Sequence, residues 1–170
     1  MRINSMHVQM AKCAMDCFLG VGAIASYGAT KYWDVDAASG LQGGNGVWDT
    51  GSTAMWSTST AGSNPLDVWE DGDSAEFRAT IGQISYTNTI PGSVNVNSIN
   101  KGSNNRVVIS GGTLRIGAGG IINDEGGETK ALVIESQVEL TADQEWRVKW
   151  TSPSIIRVMG NIVGMLPAEN

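Results

Sequence analysis

The sequence predicts an all-β chain coiled into a solenoid and closed at its start by a tryptophan-rich cap. Three observations carry this reading. Short alternating apolar segments recur at steps of about 20 residues, a spacing found in solenoid repeats. Glycine pairs bracket one of them, in Ser110-Gly111-Gly112-Thr113-Leu114-Arg115-Ile116-Gly117-Ala118-Gly119-Gly120. No window after the first 29 residues shows convincing helical periodicity.

Residues 1–25 read as an export signal. Arg2, His7 and Lys12 precede an apolar stretch from Cys17 to Ala25, and Ala23-Ile24-Ala25 forms an A-x-A processing pattern. A cut after Ala29 is the second position, although it puts the bulky Tyr27 where a small residue is preferred. Asp16 borders the apolar run, and Met6 and Met10 are alternative starts. The other reading of this stretch is a short buried strand or helix. It is too short to span a membrane. Cys13 and Cys17 both fall in it, as does His7, the one histidine, so the exported chain would hold neither residue type.

Residues 30–75 form the expected cap. Four of six tryptophans lie there, Trp33, Trp48, Trp56 and Trp69. The first turn of a solenoid exposes an apolar face and unpaired strand edges, which large aromatics can cover. The functional alternative is a sugar-stacking platform built from Trp48, Trp56 and Trp69.

Residues 76–164 carry the coils, and residues 165–170 are a polar tail. The main segments are Val94-Asn95-Val96, Leu114-Arg115-Ile116, Leu132-Val133-Ile134 and Ile155-Ile156-Arg157-Val158. Secondary segments lie between them, at Val107-Val108-Ile109, Val138-Glu139-Leu140 and Trp146-Arg147-Val148. Alternation points Leu114 and Ile116 inward and Arg115 to water. One turn cannot bury its own apolar face, but stacked turns cover one another. Asn95, Asn97, Arg115, Glu135 and Arg157 are then outward positions, presented in ladders at the strand spacing of about 4.8 Å.

A series of motifs adds a family resemblance. In order they are Tyr32-Trp33-Asp34, Gly43-Gly44-Asn45-Gly46-Val47-Trp48-Asp49, Trp56-Ser57, and Trp69 with Asp71-Gly72-Asp73, Ala75 and Phe77. Val96-Asn97-Ser98-Ile99, Ser110-Gly111-Gly112-Thr113-Leu114, Leu140-Thr141-Ala142-Asp143-Gln144-Glu145-Trp146 and Val158-Met159-Gly160-Asn161-Ile162-Val163-Gly164 follow. Over roughly residues 30–164 the chain resembles the start of the passenger region of bacterial autotransporter-like surface proteins with autotransporter-associated β-strand repeats. The resemblance implies a right-handed parallel β-helix, exported to the surface of a Gram-negative-type bacterium, acting as an adhesive or structural scaffold. Its partners would be surface glycans or proteins of a host or neighbouring cell. The sequence departs from the family in lacking the glycine-rich repeats that usually follow and any C-terminal outer-membrane barrel, so the reading is of a fragment or a short paralogue.

Composition narrows the function classes. The net charge is −6 and no Lys/Arg cluster occurs, which argues against nucleic-acid binding. Without His or Cys after the leader, neither a Ser-His-Asp or Cys-His nucleophile nor a usual zinc site can form. Gly117-x-Gly119 lacks the third glycine and the strand–helix context of a dinucleotide loop, so no cofactor is expected. Asp67, Asp71 and Asp73 are candidate calcium ligands, weighed against Asp71-Gly72 as a simple turn. Glycoside cleavage would need two carboxylates facing a groove. The candidates are Asp124, Glu125 and Glu128 on a glycine-rich loop expected to be solvated, and Asp143 with Glu145 on another. Glu135 and Glu139 alternate with apolar neighbours and read as a solubilising outer strip with no basic partner. The expectation is a non-enzymatic scaffold, with a carbohydrate-binding or polysaccharide-cleaving β-helix as the alternative.

Overall fold

The computed structural model describes residues 28–38, 40–62, 65–125, 127–148 and 155–164. The export signal, Trp150 and the polar tail lie outside them. The described chain is a parallel β-solenoid of about three turns; its one helical feature is a single turn at Glu128–Lys130.

Two long strands, Ser85–Lys101 and Arg106–Asn123, run parallel in register. The pairing shifts between Ile90 and Ser93 and again between Val96 and Ser98, so each strand bends twice and supplies three faces of a coil. On the first face, residues 85–90 and 106–111 continue into Leu132–Ile134 and Ile156–Val158. On the second, residues 93–96 and 113–116 continue into Gln137–Leu140 and Ile162–Gly164. On the third, Thr30–Trp33, Ser74–Phe77, residues 98–101, residues 120–123 and Trp146–Val148 stack in parallel.

Period-2 alternation builds the core. Val94, Leu114 and Val138 are register partners in successive coils, as are Val96, Ile116 and Leu140. All but Leu140 are buried, and Leu140 packs against the same core. Each such side chain contributes about 1.5–3 kcal/mol when fully buried, but only because the next coil covers it. Ile162 continues the first of these columns, yet it is 52% exposed, since no described coil lies over it.

The sequence reading placed the four main segments in one series. The structure divides them between faces. Val94-Asn95-Val96 and Leu114-Arg115-Ile116 stack on the second face, whereas Leu132–Ile134 and Ile156–Val158 stack on the first, over Val107-Val108-Ile109. A three-faced coil repeats all its strands at the same step, so the period alone does not say which segments meet.

The bracketing glycines turn corners. Gly112 has φ +27°, and a Cβ there would fall 2.1 Å from the carbonyl oxygen of Gly92 in the preceding coil. No larger residue fits that stacked corner without moving backbone.

The start of the third face is closed by an antiparallel strand, whereas on the first face Gly46–Val47 pairs in parallel with Asn88 and Thr89. Trp56–Ser57 pairs antiparallel with Thr30–Trp33 and so ends the parallel ladder. A separate small parallel pair, Gln42–Gly43 with Ile81–Gly82, lies beside it. No helix among the described residues is long and apolar enough to cross a membrane.

Candidate functional site

The cap is built from the tryptophans. Trp33, Trp48, Trp56 and Trp69 are each 0% exposed. Trp56 lies at the centre, with ring centroids 5.1 Å from Trp33, 5.1 Å from Trp48 and 4.7 Å from Trp69. Edge-to-face packing suits the ring quadrupoles. Trp33 Nε1 donates to Gly44 O (3.1 Å) and Trp69 Nε1 to Asn95 O (3.3 Å). The stacking expectation for Trp48, Trp56 and Trp69 is therefore corrected. Their rings pack against each other, and Trp48 and Trp56 also against Phe77, which with 0% exposure leaves no ring face open to a sugar.

At the side of the cap, Asp67 and Asp73 do converge on a cation, but it is the chain's own. Lys31 alternates with Trp33 along its strand, so its side chain also points inward. Its Nζ lies 3.1 Å from Asp67 Oδ2 and 3.2 Å from Asp73 Oδ2, and donates to the Val68 carbonyl. Burial would lower the Lys31 pKa, but the hydrogen bonds and charges of the two carboxylates outweigh it and the net shift is upward. Asp67 is held below the usual carboxylate range, chiefly by its hydrogen bond from Lys31.

Asp71 faces elsewhere. It accepts from Thr50 Oγ1 and from Asn95 N, each at 2.9 Å, and from Asn95 Nδ2. The calcium expectation for Asp67, Asp71 and Asp73 is corrected on this geometry, because two already pair with the Lys31 ammonium and the third is turned away. Among the described residues no group of three or more His, Cys, Asp and Glu could hold a metal. Asp71-Gly72 is a turn, with Gly72 at φ +94° and Asp73 N donating to Glu70 O (3.2 Å).

The outer side chains pair across coils. On the second face, Asp71 binds Asn95, and Arg115 Nε lies 2.8 Å from Glu139 Oε2. Glu139 thus has a basic partner that the sequence reading missed, because the partner is one coil away. On the third face, Asn100 Nδ2 donates to Glu76 Oε1 (3.2 Å), which also holds Arg78 through its other oxygen. Asn97 Nδ2 donates to Ser74 Oγ (3.2 Å). Arg157 is half-buried and Glu135 exposed.

The loop expected to be solvated begins in the core. Asn123 is fully buried; its Nδ2 donates to Ile155 O (3.0 Å), and its Oδ1 accepts from Glu125 N (3.2 Å). Asp124 N donates to Lys101 O (2.8 Å), and Glu125 Oε2 lies 3.7 Å from Lys130 Nζ. The side chain of Glu128 lies outside those described. Asp143 and Glu145 are exposed on the corner between Gln137–Leu140 and Trp146–Val148. They belong to a different corner from Asp124 and Glu125, separated by the length of the third face.

Sequence reasoning missed the burial of several polar residues, Lys31, Lys101 and Asn123 among them. The signal was parity. Lys31 stands two residues from Trp33, Lys101 two from Ile99, and Asn123 two from Ile121, each on the inward side of its strand.

The chain was compared with family models, curated proteins and solved structures, and none matches.

Proposed function

We propose that this chain is an exported, surface-displayed structural or adhesive solenoid segment of the autotransporter-like kind, without catalytic activity. The observation that supports it most is the use made of its polar side chains. Thr50, Asp71 and Asn95 bind one another from coil to coil, as do Arg115 and Glu139. These groups brace the stack rather than converge on a point where a substrate could react. The cap tryptophans serve packing in the same way. A scaffold works through length and repetition, and any weak contact on such a face gains by avidity.

Export is tested on the full chain expressed in a Gram-negative-type host. The expected result is a chain labelled by a membrane-impermeant reagent on intact cells and shortened at its start. Ala29 N donates to Asp73 Oδ1 (2.7 Å) and Ala29 O accepts from Ser74 N (2.8 Å), so a cut after Ala25 keeps both bonds and a cut after Ala29 loses them. N-terminal sequencing is expected to begin at Ser26. A full-length chain confined to the cytoplasm would overturn the export reading. Release of reducing or unsaturated sugar from a polysaccharide, abolished by D124N or D143N, would overturn the non-enzymatic one.

A further inference from the structure

Lys101 and Asn123 occupy one inward column of the third face. They are register partners on neighbouring parallel strands, and both are 0% exposed. Phe77 is the register partner on the other side of Lys101, and Val148 the one on the other side of Asn123. A primary amine and a carboxamide are therefore stacked side by side in the interior, between Phe77 and Val148 along their column. Neighbouring strands lie about 4.8 Å apart, a gap that a lysine stem can cross.

A buried ammonium without a full set of acceptors is costly. Lys101 has three donors, yet among the described residues its one hydrogen-bond acceptor is Ser103 O, at 2.6 Å. Asn123 is held in a fixed orientation. Its Nδ2 donates to Ile155 O, and its Oδ1 accepts from the backbone N–H of Glu125, which polarises the carbonyl.

We propose that Lys101 Nζ and Asn123 Cγ become joined by an amide bond that the chain forms by itself. The neutral amine attacks Cγ. As the new C–N bond forms, the carbonyl electron pair moves onto Oδ1, where the Glu125 N–H stabilises the oxyanion. One proton passes from Nζ to Nδ2, the Cγ–Nδ2 bond breaks, and ammonia leaves. Nothing is oxidised or reduced, and no co-reactant is needed.

The surroundings favour each part of this step. Burial pushes the Lys101 pKa down to about 8, with Glu125 as the main opposing charge. About a tenth of the amine is then neutral at pH 7, far more than for a solvated lysine. The Glu125 carboxyl, which pairs with Lys130 at 3.7 Å and whose charge also acts on Lys101, is assigned the proton relay in this proposal. The product removes a buried charge and ties two successive coils covalently.

The test is the intact mass of the full chain under denaturing conditions. The expected mass is short by one ammonia. Trypsin then fails to cut after Lys101 and releases residues 79–106 joined to residues 116–130. K101M and N123L substitute buried polar groups by apolar ones of similar size, and each is expected to restore the full mass. E125A keeps the backbone N–H but loses the carboxyl, and is expected to link at least about 100-fold more slowly. A wild-type chain of full mass that trypsin cuts after Lys101, even after incubation at pH 9, would overturn the bond. So would an ammonia deficit that persists in N123L. Linking at the wild-type rate in E125A would overturn the part given to Glu125.

Discussion

Lys31 Nζ stands 3.2 Å from Asp73 Oδ2, with both side chains almost wholly shut away from solvent. Removing one partner of such a pair leaves the other charge buried. D73N also weakens the acceptor for Ala29 N–H. The expected cost is about 3 kcal/mol in urea denaturation, and the double variant D73N/K31M is expected to be less destabilised than D73N alone. A D73N chain as stable as the wild type would show that the pair contributes nothing.

The same cluster sets a pH window. Asp67 is held below its unfolded value, so its contribution is present above pH 3.8 and is lost as pH falls through its lower folded value. Lys31 is raised, so its contribution is full below pH 10.5 and is lost as pH rises through its higher folded value. Thermal unfolding across pH is expected to show both losses, and both are expected to shrink in K31M.

Asp34 behaves oppositely. It is fully buried, and burial raises its pKa despite N–H donation from Gln42 and Asp36. Those two bonds go to Oδ1, while Oδ2 has no hydrogen-bond partner. D34N keeps an acceptor and removes a buried charge. It is expected to stabilise the chain by about 1 kcal/mol at pH 7, with a gain that shrinks as pH falls. A destabilised D34N would show that the charge itself is needed.

Trp56 touches every other cap tryptophan and Phe77. W56A is expected to cost about 3–5 kcal/mol. Wild-type tryptophan emission is expected to be blue-shifted and unchanged by glycans. A red-shifted spectrum quenched by a glycan would reopen the platform reading.

The corner at Gly112 gives a paired test. A Cβ on Gly112 meets the Gly92 carbonyl, whereas a Cβ on Gly92 meets nothing within 4 Å. G112A is expected to cost about 2 kcal/mol and G92A to stay within about 0.5 kcal/mol of wild type. Equal effects would mean that the stacked corner relaxes freely.

The coiled architecture was legible because alternation and glycine corners are local properties. Leu114, Arg115 and Ile116 point where period 2 puts them. Face assignment was not legible, since Leu132 follows Leu114 at nearly the same step that separates true partners. Lys31, Lys101 and Asn123 sat at inward parity, but polarity masked them. Their place depends on partners in other coils, such as Asp73 for Lys31 and Ile155 for Asn123. Glu139 was read as unpartnered for the same reason: Arg115 lies 24 residues away in sequence and one strand away in space.

The antiparallel strand Trp56–Ser57 gives the stack a direction. Parallel coils can template further parallel coils, but an antiparallel strand whose Trp56 packs on three other tryptophans cannot be extended in kind. The third-face ladder can therefore be lengthened at only one end. Duplicating a coil within the described stack would move the far end by one strand spacing, about 4.8 Å, and leave the sealed end as it is. The molecule is in this sense a gauge with a fixed zero, graduated in whole turns of chain.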